Sequence, residues 1–228
     1  MKENRDEALL LFVKYPEAGK VKTRLARALG AELTLRLYRC FVEDLVDRLA
    51  PLPHSLRICI DPESRINDFM NWLGDRYPYI VQDGQDLGER MRNAFESIFS
   101  EGYSRAVVIG SDSPDLSEAM LTEAFRRLET LDVVIGPSLD GGYYLLGMQN
   151  RSFRQDIWSD VPWSTSGVLS KTRDNLRKNG IEPFLLQEWG DVDTFQDLKR
   201  LYRKNRNQDF CQSKTIKCLD QHSGILGL

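Results

Sequence analysis

Histidine and cysteine are scarce in this chain. Its 228 residues include two histidines, His54 and His222, and four cysteines. Neither histidine lies beside an acidic or nucleophilic cluster, so catalysis driven by histidine has few candidates. Two cysteines fall in apolar periodic segments, while Cys211 and Cys218 lie in a polar stretch without zinc-site spacing. We expect reduced thiols, with a disulfide in that stretch as the alternative, and we expect carboxylates, basic side chains and a metal ion to carry any chemistry.

The chain also lacks an excess of charge and a long hydrophobic run. Its 31 basic and 34 acidic residues give a net charge of -3, which excludes a global attraction for nucleic acid and a polybasic membrane patch. The apolar stretch near the amino terminus is too short for a signal peptide or a membrane span. We therefore expect a cytoplasmic protein that binds neither nucleic acid nor membrane. Any anion site must be local.

Hydrophobic periodicity alternates between strand and helix from Ala8 to about residue 204. Short apolar runs predict strands at residues 8–14, 56–60, 79–82, 106–109, 133–135, 143–147 and 183–186. Between them, four-residue spacing predicts helices, most clearly from Leu33 to Leu49. Such alternation predicts one α/β domain over residues 1–204, with a mainly parallel, mixed sheet between two layers of helices. The strand at 143–147 follows a glycine-rich turn and is a candidate antiparallel strand. Residues 205–228 are expected to form an irregular polar tail that either packs late or stays mobile.

The segment GSDSPD, which contains Asp112, directly follows the apolar run Ala106–Ile109. Open α/β sheets bind ligands at the carboxyl ends of their strands, so a carboxylate here suits a hard cation or a phosphate-bearing ligand, and Ser111 lies beside it. The alternative is that residues 111–113 cap the helix that follows, because serine and aspartate are good N-cap residues.

The loop after the first strand is dense in positive charge within an acidic protein. It contains Lys14, Lys20, Lys22 and Arg24, which supply charge-assisted donors for a phosphate group, and Gly19 allows close backbone approach. The P-loop pattern GxxxxGK[ST] is not met here. The alternative interpretation is an ordinary solvated basic loop.

Three further polar clusters follow predicted strands. Gly84, Gly88 and Arg90 join a strand to a helix, and Gly88 leaves room for a flat ligand such as a nucleobase; a simple turn and helix start is the alternative. The segment Asp140-Gly141-Gly142 admits backbone contact with a substrate or forms a hairpin turn. The segment Trp163-Ser164-Thr165 is either a substrate lip or a helix cap.

Asp191 and Asp193 follow the last predicted strand. As residues i and i+2 of an extended segment they share a side, a geometry that can complete a magnesium or manganese site with Asp112 if the strands are neighbours. The alternative is that Asp193 or Thr194 caps the final helix, which does not exclude metal binding.

Four segments, VKTRL, GSDSP, LDGGYYLLG and DVDTFQDL, occur in the order in which they occur in one known group. Over about residues 8–201 the chain resembles the nucleotide-diphospho-sugar transferases of the GT-A fold, specifically a branch similar to phospholactate guanylyltransferase. The glycine-rich GxGxRM loop of sugar nucleotidyltransferases is absent, which argues against sugar-1-phosphate nucleotidylation. Phe195 stands where relatives often have proline.

The resemblance implies roles for the clusters described above. Lys22, Arg24 and Lys20 would bind nucleotide phosphates, and residues 84–90 would lie near the nucleotide. Asp112 would hold the divalent cation, magnesium or manganese, with the help of the late acidic motif at 191–193. Residues 140–142 would line the acceptor or substrate region.

We therefore expect a metal-dependent transferase that uses a nucleotide-activated donor, with glycosyl transfer from a nucleoside-diphosphate sugar to a small acceptor as the leading hypothesis. Lys22, Arg24, Asp112 and Asp140 are its expected catalytic residues, with Asp140 as base for an acceptor hydroxyl. Nucleotidyl transfer, in which a phosphorylated acceptor attacks a nucleoside triphosphate and pyrophosphate leaves, uses the same residues. A nucleotide-binding module without turnover is the third hypothesis. Neither the nucleobase, the acceptor nor the oligomeric state follows from the sequence.

Overall fold

The computed structural model describes residues 4–222 and residue 224. Seven strands form one sheet in this part of the chain: β1 Asn4–Lys14, β2 His54–Asp61, β3 Tyr79–Val81, β4 Arg105–Gly110, β5 Val133–Pro137, β6 Tyr143–Gln149 and β7 Phe184–Leu185. The α-helices are α1 Thr23–Leu29, α2 Ala31–Leu49, α3 Ile66–Leu73, α4 Leu87–Ser100, α5 Glu118–Leu128, α6 Val168–Lys178, α7 Phe195–Asn205 and α8 Lys214–Asp220.

The sheet is mixed, and its strand order is β3-β2-β1-β4-β6-β5-β7. β1 pairs in parallel with both β2 and β4, whereas β6 runs antiparallel to β4 and β5. The predicted single α/β domain with a mainly parallel, mixed sheet is confirmed, including the antiparallel strand after the glycine-rich turn. The central position of β1 and β4 places the ends of both strands at the middle of one sheet edge.

Helices cover both faces of the sheet, because the central strands are apolar on both sides. Leu9 and Leu11 of β1 pack in the cluster that includes α2 and α5, while Leu10 and Phe12 pack in the cluster that includes α4. The alternation follows from the two-residue period of a strand. Both helical layers are thereby fixed relative to the end of β1.

The segment after α7 folds onto α2, so the expected irregular tail is wrong for residues 209–220. α8 buries Ile216 and Leu219 in a third apolar cluster with α2, and the Asp44 carboxylate of α2 accepts hydrogen bonds from the first two amides of α8, at 2.7 and 2.8 Å. The two apolar side chains have helical spacing, and the N-cap is Ser213, whose hydroxyl accepts a hydrogen bond from Ile216 N, so Asp44, about 170 positions away, adds to a local cap. Local polarity therefore concealed the helix.

The four cysteines are free in this structure, and reduced thiols remain a prediction. Cys218 is buried between α8 and α2 rather than near Cys211 on a polar surface. In the part of the chain that the structure describes, no helix has both the length and the apolar character needed to cross a bilayer.

Candidate functional site

A cleft of about 660 Å³ opens at the carboxyl ends of β1 and β4. It is walled by the basic loop after β1, the β4–α5 loop, the β5–β6 turn, the segment before α6 and the loop before α7. Its lining includes most of the site residues predicted from the sequence: Lys14, Lys20, Lys22, Arg24, Ser111, Asp112, Asp140, Gly142, Trp163, Ser164, Thr165, Asp191 and Asp193. The topology thus brings together residues that are up to 179 positions apart in the chain.

The β4–α5 loop presents Asp112 to the cleft and does not use it as a helix cap. The N-cap of α5 is Ser117, whose hydroxyl accepts a hydrogen bond from Met120 N. The capping alternative for residues 111–113 is therefore wrong. The loop is held in place from outside, because the backbone oxygen of Asp112 accepts a hydrogen bond from Val192 N at 2.9 Å.

Asp115, in the same loop, is a buried anchor. Its carboxylate accepts hydrogen bonds from Trp189 Nε1 at 3.1 Å, Asn205 Nδ2 at 2.9 Å and Lys204 Nζ at 2.9 Å. These donors tie the β4–α5 loop to the start and end of the segment that carries Asp191 and Asp193. One loop is therefore positioned against the other by a carboxylate that does not line the cleft.

Lys22 lies between two of the predicted metal ligands. Its Nζ is 2.5 Å from Oδ1 of Asp112 and 2.7 Å from Oδ1 of Asp193. The lysine side chain is only 3% exposed, whereas the Asp112 and Asp193 side chains are 50% and 45% exposed. Burial disfavours the charged ammonium, but the two carboxylates outweigh burial and raise the pKa of Lys22 above its usual value. Lys22 is therefore a fully charged, covered cation in an otherwise open acidic pair.

Asp191 has a different environment from Asp193. Its Oδ1 accepts a hydrogen bond from the Ser113 hydroxyl at 2.7 Å. Burial, together with the negative charge of Asp112, raises the pKa of Asp191 to about 6, and the Ser113 hydrogen bond partly opposes this rise. The cap of α7 is Thr194, in a capping box with Asp197, so Asp193 is not the N-cap residue.

These acids only partly fit the expected three-carboxylate metal site. Oxygens of Asp112 and Asp193 converge on a single cationic atom, and carboxylate oxygens are the ligands that magnesium and manganese prefer. Asp191 instead faces Ser113. Within residues 4–222 and 224, no three His, Cys, Asp or Glu side chains form a group that could hold a metal ion. Two carboxylates thus have the donor chemistry for a divalent cation, and Lys22 lies where their oxygens meet.

Tyr38 was missed as a site residue, because it falls within the apolar stripe that predicts α2. Its hydroxyl accepts a hydrogen bond from Lys14 N at 3.1 Å and lies 3.1 Å from the Ser111 hydroxyl. Burial and the nearby Asp112 raise the pKa of Tyr38 to about 12. The signal that could have identified Tyr38 as a site residue is a hydroxyl group within an otherwise apolar stripe of a helix. Tyr38 joins the ends of β1 and β4 beneath the cleft.

The β5–β6 turn both forms the hairpin and lines the cleft. The Asp140 carboxylate accepts a hydrogen bond from Gly142 N at 3.0 Å, and the side chain is exposed to the cleft. Gly141 has φ +90°, and a side chain there would collide with the backbone of Ser166, so this position requires glycine. Ser138, a second residue that the sequence analysis missed, contributes a buried hydroxyl that has no partner in the described part of the chain.

The segment before α6 forms one lip of the cleft. Trp163 and Ser164 line it, and Ser164 has a left-handed backbone with φ +65°. The Thr165 hydroxyl accepts a hydrogen bond from Gly167 N at 3.2 Å, although the N-cap residue itself, Gly167, makes no side-chain cap. This segment therefore both lines the cleft and leads into the start of α6.

Gly84, Gly88 and Arg90 do not line the cleft. A side chain on Gly88 would lie 2.6 Å from the Trp163 ring, so the expected room for a flat ligand over Gly88 is filled by protein, and that expectation is wrong. Arg90 pairs with the Asp61 carboxylate at 2.8 Å and donates to the Gly84 carbonyl oxygen at 3.1 Å. These contacts fix the β3–α4 loop against the end of β2. A nucleotide role for these three residues remains a prediction.

Comparison with known proteins identifies one close relative of known structure. A candidate nucleotide-diphospho-sugar transferase from Desulfovibrio desulfuricans G20 is 40% identical in sequence to this chain. The match covers 100% of this chain and 98% of the relative, with a TM-score of 0.94. A comparison with curated protein sequences finds no match.

Two remote structures share the fold alone. A cytidylyltransferase from Leptospira borgpetersenii serovar Hardjo-bovis (strain JB197) is 11% identical over 97% of this chain and 96% of its own, with a TM-score of 0.54. A CMP:2-keto-3-deoxy-manno-octonic acid synthetase, solved with CTP, is 12% identical over 86% of this chain and 96% of its own, with a TM-score of 0.51.

The family comparison agrees with the close relative. Residues 46–165 match the DUF2064 family, described as uncharacterized proteins conserved in bacteria. That segment includes β4, the Asp112 loop and the β5–β6 turn. The expected fold and superfamily are thus confirmed: the chain belongs to the DUF2064 family and is a transferase of the nucleotide-diphospho-sugar transferase group.

Proposed function

We propose that the chain transfers a glycosyl group from a nucleoside-diphosphate sugar to a small hydroxyl-bearing acceptor. One observation carries the proposal: cationic side chains of the β1–α1 loop and carboxylates of three other loops line the same cleft. A diphosphate needs the first set, and a divalent cation or an acceptor hydroxyl needs the second. The relationship to a candidate nucleotide-diphospho-sugar transferase supports this donor class.

The phosphate end of the donor would lie at the basic loop. Lys14 and Lys20 are exposed and line the cleft, and Arg24 lies one residue inside the start of α1. A guanidinium there can donate two hydrogen bonds to phosphate oxygens, and the amides at the helix start also favour an anion. These groups would stabilise the charge that grows on the departing diphosphate.

A divalent cation would be held by Asp112 and Asp193. When bound, it would neutralise negative charge on the leaving phosphate groups. Both carboxylates are half exposed, so they remain reachable from the cleft.

The acceptor would lie at the β5–β6 turn. Asp140 is a cleft carboxylate engaged neither with Lys22 nor with Ser113, and one of its oxygens is held by Gly142 N. A carboxylate positioned in this way can accept the proton of an attacking hydroxyl, which inverting glycosyl transfer requires. The buried Ser138 hydroxyl nearby offers a hydrogen bond to the same substrate.

Nucleotidyl transfer is the second candidate, and the charge of the basic loop favours it. Four cationic side chains, those of Lys14, Lys20, Lys22 and Arg24, line the cleft. That charge also suits a triphosphate, from which pyrophosphate would leave on attack by an ionised acceptor. An ionised phosphate needs no carboxylate base, so Asp140 is expendable in this reaction and required in glycosyl transfer.

Thermal stabilisation separates the two candidates without knowledge of the acceptor. We would test a panel of nucleoside triphosphates and nucleoside-diphosphate sugars with and without magnesium or manganese. Ligand at about 100 times its dissociation constant adds about 2.7 kcal/mol to the free energy of unfolding. We expect the largest cation-dependent shift with one diphosphate sugar. A larger shift with a triphosphate would favour nucleotidyl transfer, and no shift with any nucleotide would contradict both.

A pair of arginine variants tests the phosphate end. Arg24→Met should weaken binding of the stabilising nucleotide at least tenfold, since charge-assisted hydrogen bonds to phosphate are lost. Arg27→Met is the matched control: Arg27 lies on the same short helix, is exposed and does not line the cleft. Titration calorimetry measures both. Equal affinities of the two variants would remove Arg24 from the site.

A further inference from the structure

Lys22 holds the position at which the two predicted cation ligands meet. Its ammonium contacts one oxygen of Asp112 and one of Asp193. A magnesium or manganese ion bound by both carboxylates would need oxygens at roughly 2.0–2.2 Å, at or near this same point. Two cations cannot share it, because like charges repel strongly at such separations.

The exposure of the three groups favours exchange. The lysine is covered by protein, but the Asp112 and Asp193 side chains are half exposed and line the cleft, so a second cation can approach the acids from the open side.

The backbone of Lys22 is also unfavourable on its own. Lys22 has φ 48° and ψ 43°, a left-handed conformation that is disfavoured for any residue with a Cβ atom. The two ion pairs offset this cost. Loss of the carboxylates to another cation would remove what holds Lys22 in this conformation, and the preceding turn, with Gly19 at φ +79° in open space, leaves room for the loop to move.

We propose that Lys22 and a divalent cation are alternative occupants of the Asp112–Asp193 pair, so that the cation binds both carboxylates only when the ammonium leaves. The inference rests on the proposed function in taking these acids as cation ligands. The released lysine lies in the same loop as Lys20 and beside Arg24, which line the cleft. Phosphate groups of a nucleotide would give it a new partner. Cation and nucleotide would then raise each other's affinity, since such coupling is reciprocal.

Manganese binding without nucleotide tests the exchange. The free Mn²⁺ signal in electron paramagnetic resonance measures the affinity of the full-length protein. Lys22→Met removes the competing charge and keeps the side-chain length, so we expect at least tenfold tighter Mn²⁺ binding. Lys178→Met is the matched control, with the same substitution at an exposed lysine of α6 that does not line the cleft, and we expect the affinity of the unchanged chain. Equal affinities of the unchanged chain and Lys22→Met would overturn the proposal, as would equal gains in both variants.

A second measurement uses the unchanged chain and does not depend on a variant's folding. An amine-reactive acetylating reagent, followed by peptide mass spectrometry, reports whether each lysine is accessible. We expect Lys22 to be protected in chelator and to be labelled at least fivefold faster at saturating Mn²⁺, with Lys20 labelled equally in both. Continued protection of Lys22 at saturating Mn²⁺ would overturn the proposal. Neither measurement contains nucleotide, so failure here is distinguishable from failure of the nucleotide panel.

Discussion

Two charge clusters lie at opposite ends of β1 and are built in opposite ways. At the amino end, Glu7 Oε2 lies 2.8 Å from His54 Nδ1, and Glu7 Oε1 lies 3.3 Å from a guanidinium nitrogen of Arg105. The Glu7 and His54 side chains are 8% and 7% exposed. At the carboxyl end the base, Lys22, is covered and both acids are half exposed. The same kinds of charges thus form a closed cluster at one end and an open one at the other.

Under the proposed function, this difference separates a cluster that stabilises the fold from one that binds a ligand. In the closed cluster, the His54 ring stacks on Phe125 with centroids 3.8 Å apart, and the Glu7 and His54 side chains are buried while that of Arg105 is 19% exposed. A covered carboxylate with basic partners contributes to folding but cannot reach a ligand. In the open cluster, the Asp112 and Asp193 side chains are half exposed and line the cleft. We therefore infer that the cluster at the carboxyl end can exchange its partners without unfolding, whereas the closed cluster cannot.

The largest expected effect comes from breaking the closed cluster. Glu7→Gln leaves buried basic partners without their carboxylate, and breaking a buried ion pair in this way costs roughly 3–5 kcal/mol. Denaturant unfolding followed by circular dichroism measures the loss. The exposed Glu129→Gln is the matched control and should change stability by less than about 0.5 kcal/mol. A Glu7→Gln loss as small as the control's would mean that this cluster is not closed.

A smaller effect is expected at Asp191, the covered acid of the open end. Its pKa in the folded protein is about 6 and its ordinary value is 3.8, so between these values the folded state holds a proton that the unfolded chain releases. Stability from this group is therefore complete below about pH 4 and is lost as the pH rises through about 6. Asp191→Asn removes this pH-dependent loss of stability, and the side-chain oxygen of Asn can still accept the Ser113 hydrogen bond.

Unfolding in chelator at about pH 4 and about pH 8 checks this dependence. From the lower to the higher pH, we expect the free energy of unfolding of Asp191→Asn to rise by roughly 1–3 kcal/mol relative to that of the unchanged chain. An identical pH profile for both proteins would place Asp191 in solvent rather than among covered acids.

The smallest effect on stability is expected from Asp112→Asn. Lys22 keeps Asp193 as a partner, and a half-exposed carboxylate contributes little, so the cost should be about 1 kcal/mol or less. Binding of Mn²⁺ should nevertheless fall at least tenfold. Thermal unfolding and the resonance titration measure the two quantities. A destabilisation as large as that of Glu7→Gln would assign Asp112 to the structure instead of the site.

Much of the fold could be predicted from local pattern. The apolar run at β4 and the four-residue stripe of α2 have periods that admit few alternatives, and Asp112 surfaces where the strand ends. The antiparallel β6 followed from the short glycine-rich turn. Helix α8 was missed because it is only seven residues long and its polar composition hid its buried side chains, although Ser213 caps it locally.

The site was predictable as a set of residues but not as a set of contacts. Sequence assigned Lys22 to phosphate and Asp193 to metal, and the structure pairs them across 171 positions. An ion pair between residues far apart in the chain produces no periodic pattern in the local sequence. Gly88 appeared to leave room for a ligand, and only the fold shows that Trp163 fills that room. The alternative that residues 111–113 cap the following helix was excluded only by the fold, in which the N-cap of α5 is Ser117.

The central claim is that the open cluster binds a cation with a nucleotide-activated donor, whereas the closed one does not. Its most direct test is the cation-dependent rise in melting temperature caused by the best nucleoside-diphosphate sugar of the panel, measured in the unchanged chain, Asp112→Asn and Glu7→Gln. We predict that Asp112→Asn unfolds near the temperature of the unchanged chain without ligand and loses the rise, while Glu7→Gln unfolds at a lower temperature and keeps it. A rise that survives Asp112→Asn, or that no nucleotide produces in the unchanged chain, would contradict the account.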